Sequence, residues 1–266
     1  MTVPVALSIA GSDPSGGAGI QADLATFAAF GVRGATVITA LTAQNTEGVR
    51  GIAPVAPEFV VLQLDAVLDD LDVRAAKTGM LHRAAVVEAL AGRLRTRPLP
   101  HLVVDPVMVA TSGDVLLEPA AAVFLRERLI PLAALVTPNL REAETLTGER
   151  VTDVAGMRAA ARALVALGAR AALVTGGHLS GDPIDVLYDG RTFREFGGRR
   201  VPIGRTHGTG CALSAAVTAG LALGQPLDEA VGAAKRWMTH ALETAAAIGH
   251  GGTPPDHLAR PAKDRA

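Results

Sequence analysis

The chain has 266 residues, 49% of them hydrophobic, and a formal net charge of −1, which suits one large α/β domain or two small ones. The balanced charge argues against a general nucleic-acid binder and against a polybasic membrane surface. A single cysteine excludes an internal disulfide framework and a cysteine-rich zinc site.

The N-terminal segment indicates neither secretion nor insertion into a membrane. It has no basic stretch followed by a long apolar core, and nowhere does the chain hold a run of ~18 apolar residues. We therefore expect a cytoplasmic protein.

The first half of the chain alternates short apolar runs with segments of helical spacing. Val3–Ala10 is predicted to be a buried strand, and the glycine-rich loop 11–19 leads from it into a helix that stops at Gly31. Two further helices are predicted to begin at Pro57 and before Val86. The other strands predicted in this half are Ala35–Thr42, Val49–Val55, Arg74–Thr78 and Leu102–Val104.

The second half continues this alternation and then changes to short apolar segments separated by Asp-Gly and Gly-Gly pairs. Such pairs are typical of antiparallel hairpins. The hairpin strands are predicted at Ile184–Tyr188, Thr192–Phe196 and Arg200–Ile203. Strands are also predicted at Ala134–Val136 and Ala171–Val174, with helices over 119–130, after Asn139, after Asp153, from 209 and over 227–242; after Gly249 a loose tail is expected.

Strands that alternate with helices predict a parallel sheet with helices on both faces, a three-layer αβα sandwich with a small antiparallel edge. We predict a single domain over residues 1–266. The polar and glycine-rich loops all follow strands, and ligands gather at the carboxyl ends of parallel strands, so we expect one site there. These loops are 11–19, 43–48, 78–80, 105–114, 137–142, 175–183 and 204–210.

The segment His207–Ala216 joins a glycine turn to the start of an apolar helix. Free backbone N–H groups and the helix dipole attract phosphate to such a start, and Gly208 and Gly210 allow its close approach. The only cysteine, Cys211, lies in the first turn, where the positive end of the helix favours the thiolate. The alternative interpretation is a glycine turn before a buried helix, with Cys211 as a small core residue.

The earlier loops offer polar groups but no complete nucleotide motif. Gly17 and Ala18 stand where a Walker loop requires Lys and Ser or Thr, so a tight strand-to-helix turn is the alternative. Asp23 is either an acceptor for a substrate amino group or a partner of the helix dipole. Gln44 and Asn45 either read a polar ring or only close their own loop.

Asp105 and Glu142 follow neighbouring strands of the predicted sheet. Two carboxylates at adjacent strand ends can hold Mg²⁺, partly through water, and leave room for phosphate. For Glu142 the alternative is a carboxylate that caps a helix. An anion cradle, a cation and a group that orients the attacking hydroxyl are together what phosphoryl transfer needs.

Several separate segments, in register from about residue 4 to about residue 250, carry a specific resemblance. They resemble the hydroxymethylpyrimidine/phosphomethylpyrimidine kinases of thiamine biosynthesis, which belong to the ribokinase superfamily. The segments are Ala10–Asp23, Ala43–Thr46, Lys77–Leu81, Asp105–Met108, Thr137–Glu142, Gly176–His178 and Thr206–Cys211.

The resemblance implies a ribokinase-like fold, Mg²⁺ with ATP as phosphoryl donor, and a homodimer. It also implies two successive phosphorylations, of 4-amino-5-hydroxymethyl-2-methylpyrimidine to the monophosphate and then to the diphosphate. Gly208 and Gly210 match the anion hole, and Cys211 takes the position where most of the superfamily has an Asp base. Either a thiolate serves there as base, or orientation and charge stabilisation carry most of the rate. The resemblance also assigns Gly11, Asp23, Gln44, Met80 and Val107 to the pyrimidine, and Asn139 and Glu142 to Mg–ATP. We add Thr175, Gly176, Thr206 and Lys235 as candidate ATP contacts and keep Asp105, from its position after a strand, as the second candidate metal ligand.

Two positions depart from the related patterns. The family commonly has Lys before Gly-Gly-His to meet the ATP phosphates, whereas this chain has the uncharged Thr175, with Arg205 and Lys235 as candidate replacements. A sister group phosphorylates pyridoxal, and some members carry a second cysteine where this chain has Ala110. A pyridoxal kinase of the same fold is therefore the alternative function. A protein that binds the pyrimidine without turnover is a third hypothesis, for which Thr175 is the only hint.

Overall fold

A computed structural model describes residues 3–261 of the chain as alternating strands and helices. The strands are β1 (Val5–Ser12), β2 (Arg33–Gln44), β3 (Val49–Pro54), β4 (Val73–Thr78), β5 (Leu102–Val104), β6 (Leu135–Val136), β7 (Ala172–Val174), β8 (Ile184–Tyr188) and β9 (Phe193–Gly197). The helices are α1 (Gly19–Ala29), α2 (Pro57–Asp70), α3 (Ala84–Thr96), α4 (Pro119–Phe124), α5 (Leu140–Thr147), α6 (Val154–Ala166), α7 (Thr209–Ala222) and α8 (Leu227–Glu243).

The strands form a single sheet in the order β3-β2-β1-β4-β5-β6-β7-β8-β9. The six inner strands are parallel, because helices cross over between them and cover both faces. β3 pairs antiparallel with β2 at one edge, and β8 and β9 extend the other edge in antiparallel fashion. The predicted fold class is confirmed, with antiparallel pairing at both edges of the sheet.

Helices cover the two faces of the sheet unequally. Apolar side chains of α2 to α6 pack on one face, and those of α1, α7 and α8 pack on the other. α7 is buried from Ala212 to Ala222, so it runs inside its layer and not along the surface. Its first turn is thereby held at the carboxyl ends of the parallel strands. Within residues 3–261, the helices lack the length and apolar character that a membrane crossing requires.

The strand predicted at Arg200–Ile203 is wrong, because this segment has no strand pairing. Pro202 has no backbone N–H to contribute to a ladder. The side chain of Arg200 binds the loop after β7 instead. Its guanidinium donates to the carbonyl oxygens of Gly177 (3.2 Å), Leu179 (2.7 Å) and Gly181 (2.7 Å).

Residues 249–261, here called the C-terminal strap, pack against the body of the protein, so the predicted loose tail is wrong for them. Glycine permits this approach, since a Cβ on Gly251 would lie 1.9 Å from the carbonyl oxygen of Thr46. The indole Nε1 of Trp237 donates to the carbonyl oxygen of Ala259 at 2.7 Å. The backbone N–H groups of Gly252, His207 and Asp256 donate to the carbonyls of Thr46, Thr253 and Ala241. The remainder of the predicted tail, 262–266, lies outside the described residues.

We expect Trp237→Phe to lower the free energy of unfolding by about 1–3 kcal/mol, because it leaves the Ala259 carbonyl without its donor. Urea denaturation followed by far-UV circular dichroism measures the change. Tyr188→Phe is the matched control, since it removes an exposed 3.0 Å hydrogen bond to the carbonyl of Gly190. It should change stability by no more than about 0.5 kcal/mol. Equal losses in the two variants would contradict the docking of the strap.

Candidate active site

The first turn of α7 packs directly on the glycine-rich loop that follows β1. Gly208, the N-cap of α7, has φ +78°, and a Cβ there would lie 1.9 Å from the carbonyl oxygen of Gly17. Only glycine fits both constraints. No side chain caps the helix, and Gly210 is exposed with open space around its Cα. The backbone N–H groups of this turn are therefore placed to receive an anion.

A group of buried charged side chains, here called the Lys77 cluster, lies beside this turn. Lys77 Nζ donates to Asp23 Oδ1 at 2.8 Å and to the carbonyl oxygen of Cys211 at 3.3 Å. Asp105 Oδ2 lies 3.9 Å from the same ammonium and accepts a 2.8 Å hydrogen bond from the hydroxyl of Ser214. One ammonium thus connects β4, α1, the loop after β5 and α7.

The charges of the Lys77 cluster are set by burial and by each other. Desolvation opposes the ammonium, but the neighbouring carboxylates Asp23 and Asp105 favour it, and the pKa of Lys77 is raised. Burial raises the pKa of Asp105, although Lys77 and the hydroxyl of Ser214 oppose that rise. Lys77 therefore stays positive at neutral pH and is the central cation of the cluster.

The thiol of Cys211 is protonated at neutral pH, so the predicted bias toward thiolate is wrong. Desolvation of the sulfur, together with the nearby carboxylates Asp105 and Asp23, raises the pKa of Cys211 to about 12. Lys77 and a hydrogen bond from the Gly19 backbone N–H lower the pKa but do not prevail. The local argument from the helix end leaves out this tertiary burial, which decides the protonation state.

Asp23, which the resemblance assigns to the pyrimidine, lies inside the cluster. The residue is fully buried. Its Oδ1 accepts from Lys77, and its Oδ2 accepts from the hydroxyl of Ser8 at 2.5 Å. With both oxygens engaged in the interior, Asp23 anchors α1 to β1 and β4.

The other residues predicted to contact the pyrimidine fall into two neighbouring groups. Gly11 packs on Met80, since a Cβ on Gly11 would lie 3.1 Å from the Met80 sulfur, and Val107 joins Met80 in a small apolar cluster. Gln44 lies beside His207, with Nε2 3.4 Å from Nε2 of that residue. A narrow cleft there is lined by Gln44, His207, Thr206 and Gly252 of the strap.

His207 and Asp13 form a buried pair that the sequence did not reveal. His207 Nε2 lies 2.8 Å from Asp13 Oδ2, across 194 positions of chain. Burial alone would raise the pKa of Asp13, but hydrogen bonds from His207 and Ser15 hold it below its usual value. Asp13 Oδ2 also accepts from the backbone N–H of Ala18 at 2.9 Å. The only available signal was that both residues border glycine motifs.

Glu142 is both a capping residue and a neighbour of Asp105, so the two interpretations of it are compatible. Its Oε2 accepts from the Asn139 backbone N–H at 2.9 Å, and Asn139 Oδ1 accepts from the Glu142 N–H at 3.0 Å. Burial first, and the charge of Asp105 second, raise the pKa of Glu142 to about 8.

A divalent cation would suit Asp105 and Glu142, because the charge of Asp105 disfavours the charge of the buried Glu142. In the described part of the chain, His, Cys, Asp and Glu side chains form no group of three or more that could hold a metal ion. Two carboxylates with water and phosphate as the remaining ligands is the arrangement typical of Mg²⁺.

Asp185 holds the loop after β7, and the cation nearest to it, Lys235, is bound to the same carboxylate. Asp185 Oδ1 accepts from the backbone N–H of Gly176 at 3.0 Å, and Oδ2 accepts from Lys235 Nζ at 2.7 Å. Thr175 donates its backbone N–H to the carbonyl of Pro138 at 2.9 Å. Since Lys235 is paired with Asp185, its charge is already balanced. Arg205, the other candidate replacement for the family's lysine, is exposed, and its charge helps to lower the pKa of Asp114.

The family model described as phosphomethylpyrimidine kinase matches residues 13–256. The hydroxymethylpyrimidine/phosphomethylpyrimidine kinase of Rhizobium meliloti is 53% identical over 264 residues, which cover 98% of this chain and 99% of that one. The thiamine biosynthesis bifunctional protein ThiED of Geobacter sulfurreducens is 50% identical over 95% of this chain. The chain covers 52% of that longer protein.

Two solved structures share the fold. The ADP complex of pyridoxal kinase from Bacillus subtilis superposes with a TM-score of 0.89 at 39% identity, covering 97% of this chain and 98% of that one. The phosphomethylpyrimidine kinase of Clostridium difficile 630 gives a TM-score of 0.81 at 41% identity, covering 91% and 100%.

We expect Lys77→Met to lower the free energy of unfolding by about 3–5 kcal/mol, because it leaves buried carboxylates without their cation. Adding Asp23→Asn to that variant should restore part of the loss, which urea denaturation of both variants measures. Arg74→Met is the control on the same strand, since Arg74 pairs with Asp72 on the surface and should contribute under about 1 kcal/mol. A Lys77→Met loss no larger than the control's would refute the central role of the ammonium.

Proposed function

Because the chain belongs to the phosphomethylpyrimidine kinase family, we infer that it phosphorylates 4-amino-5-hydroxymethyl-2-methylpyrimidine and then its monophosphate, with ATP as donor. The product is the pyrimidine diphosphate used in thiamine diphosphate biosynthesis. The observation that carries the inference is 53% identity to a kinase of that name over nearly the whole of both chains.

We propose that the first turn of α7 receives the migrating phosphoryl group. Gly208 and Gly210 let it approach, and the free backbone N–H groups bind its oxygens where negative charge gathers. This proposal is supported by the uncapped helix start and the open space at Gly210. The hydroxyl oxygen of the pyrimidine attacks the terminal phosphorus, and ADP leaves with the electrons of the broken bond.

We propose that Cys211 orients the attacking hydroxyl and is not a base poised as thiolate. With its pKa raised to about 12, the thiol already holds a proton at neutral pH and cannot take the one on the hydroxyl. Phosphoryl transfer through a loose transition state makes little demand for early deprotonation. The hydroxyl proton is then lost late, to an oxygen of the transferred phosphoryl group.

The pyrimidine ring is assigned to the space beside Met80 and Val107, with Gln44 as its polar contact. Gly11 has no side chain to occupy this space, and Met80 and Val107 offer apolar contact to the ring. Gln44 is partly exposed, and its amide can both donate and accept hydrogen bonds with ring substituents. Asp23 is left out of the binding set, because both its oxygens bind Lys77 and Ser8.

The nucleotide is assigned to the loops after β6 and β7, near Asn139, Thr175 and Gly176, with Thr206 at the approach to α7. We propose that Lys235 acts here through Asp185, which holds the Gly176 N–H, and does not itself meet a phosphate.

Mg²⁺ is assigned to Asp105 and Glu142, where it would neutralise phosphate charge. The support is that both carboxylates are buried and that the charge of Asp105 raises the pKa of Glu142. Single-domain organisation over residues 1–266, a homodimer and a cytoplasmic location complete the proposal. The homodimer rests on the family resemblance alone.

Phosphorylation of pyridoxal is the second candidate activity. The similarity to the ADP complex of a pyridoxal kinase, with a TM-score of 0.89 at 39% identity, fits it. Ala110 opposes it, since no second cysteine is present to add to the aldehyde of pyridoxal.

We expect the purified protein to release ADP with the hydroxymethylpyrimidine and with its monophosphate, at a kcat/KM above that for pyridoxal. Cys211→Ala should lower kcat at least ~100-fold on both pyrimidines, because a misplaced hydroxyl reacts slowly. A coupled ADP assay measures all of these rates. Turnover of pyridoxal alone would assign the second activity, and tight pyrimidine binding in calorimetry without ADP release would identify a non-catalytic binding protein.

Mg²⁺ affinity should rise with pH up to about 8, because the raised pKa of Glu142 makes protons compete with the cation below that value. The apparent affinity should change up to ~10-fold per pH unit between pH 6 and 8. Glu142→Gln should bind weakly and lose the slope, while Glu88→Gln, on the exposed surface of α3, should keep it. Calorimetric titration of Mg²⁺ at pH 6, 7 and 8 measures the slope; an unchanged slope in Glu142→Gln would rule out this metal ligand.

A further inference from the structure

The C-terminal strap brings His257 against the glycine-rich loop between β1 and α1. His257 is 8% exposed, and its Nε2 lies 3.2 Å from the carbonyl oxygen of Gly17, 240 positions earlier in the chain. A carbonyl oxygen only accepts, so the ring nitrogen that faces it carries the hydrogen. The contact is therefore an N–H donated by His257 to the backbone of the loop.

The second ring nitrogen of His257 has no hydrogen-bond partner among residues 3–261, although it is buried. Burial also lowers the pKa of His257, against the opposing effect of the Gly17 carbonyl. The ring is thus neutral, with hydrogen on Nε2 and a bare acceptor at Nδ1. An apolar side chain would fill this space without burying an unpaired nitrogen, so packing alone does not account for histidine here. What histidine adds is the hydrogen bond to Gly17.

The peptide at Gly17 contacts the two residues that lead into α7, His207 and Gly208. Its carbonyl oxygen lies under Gly208, where a Cβ would come within 1.9 Å. On the other side, a Cβ on Gly17 would lie 2.4 Å from the His207 ring. Two residues further on, the Gly19 backbone N–H binds the Cys211 sulfur. A rotation of the Gly17 peptide would therefore displace the N-cap of α7 and the hydrogen bond to the thiol.

We propose that His257 is a positioning residue for phosphoryl transfer, acting through Gly17 on Gly208 and Cys211. This positioning role requires no contact between His257 and the substrates. The inference rests on the proposed kinase function, and it makes the strap a working part of the active site. Loss of the Nε2–H donor lets the Gly17 peptide move, and the anion-binding turn then loses its alignment with the attacking hydroxyl.

The test compares His257→Ala, His257→Gln and His250→Ala in the full chain. His250 lies exposed in the same strap and is the matched control. His257→Ala should lower kcat ~10-fold or more on both pyrimidines with KM changed less than ~3-fold, since small displacements in the site slow the chemical step. His257→Gln, whose amide N–H can reach the same carbonyl, should recover most of the rate. His250→Ala should match the native protein.

A second readout does not depend on turnover. Cys211 is the only cysteine, so its alkylation rate by iodoacetamide reports the local geometry around the sulfur. This rate should change at least ~3-fold in His257→Ala, below the urea unfolding transition, and stay native in His250→Ala and close to native in His257→Gln.

Unchanged kcat and unchanged alkylation in His257→Ala would overturn the proposal. Equal loss of kcat in the Ala and Gln variants would overturn it too, because the Nε2–H donor would then be irrelevant. If the native protein turned over neither pyrimidine, the proposed function would fail, while the alkylation rates would still decide whether His257 positions the loop.

Discussion

A single buried ammonium joins the parts of the candidate site. Lys77 on β4 binds Asp23 of α1 and the Cys211 carbonyl in α7, and lies within ion-pair distance of Asp105. Removing these charges from water is expensive, and a well-packed apolar cluster would stabilise the fold at least as well. What the ammonium provides is a fixed relation between α7 and the strand ends. Desolvation and the carboxylates Asp105 and Asp23, against the ammonium, raise the pKa of Cys211 to about 12. Desolvation and Asp105 raise the pKa of Glu142 to about 8.

Much of the fold follows from local pattern. Short apolar runs between amphipathic segments predicted the parallel strands, and the polar loops after them indicated where a site would form. Partnerships across long stretches of chain were beyond such reasoning, because pairing depends on how the layers stack. The Asp13–His207 pair had no sequence signal beyond the glycine motifs beside both residues, and the place of Asp23 inside the Lys77 cluster had none. The Cys211 thiol shows the same limit, since a helix end favours thiolate locally and desolvation by tertiary neighbours reverses the result.

Two wrong predictions, the loose tail and the strand at Arg200–Ile203, relied on composition and spacing without knowledge of tertiary contacts. The strap has the composition of a mobile tail, yet the absence of a Cβ at Gly251 is what lets its backbone reach Thr46. At Arg200–Ile203 the alternation resembles a strand, but Arg200 binds three carbonyls of the neighbouring loop. In both places a specific backbone contact decides the structure, and periodicity carries no information about it.

The long sequence separation between Gly17 and His257 has a consequence for biosynthesis. At translation speeds of about 5–20 residues per second, the 240 positions between them take on the order of tens of seconds to appear. All strands of the sheet have been synthesised before the last helix leaves the ribosome. The loop after β1 still lacks the hydrogen bond that His257 donates to Gly17. A nascent chain can therefore be largely folded and still be unfinished as a catalyst, and a prematurely terminated product would share that defect.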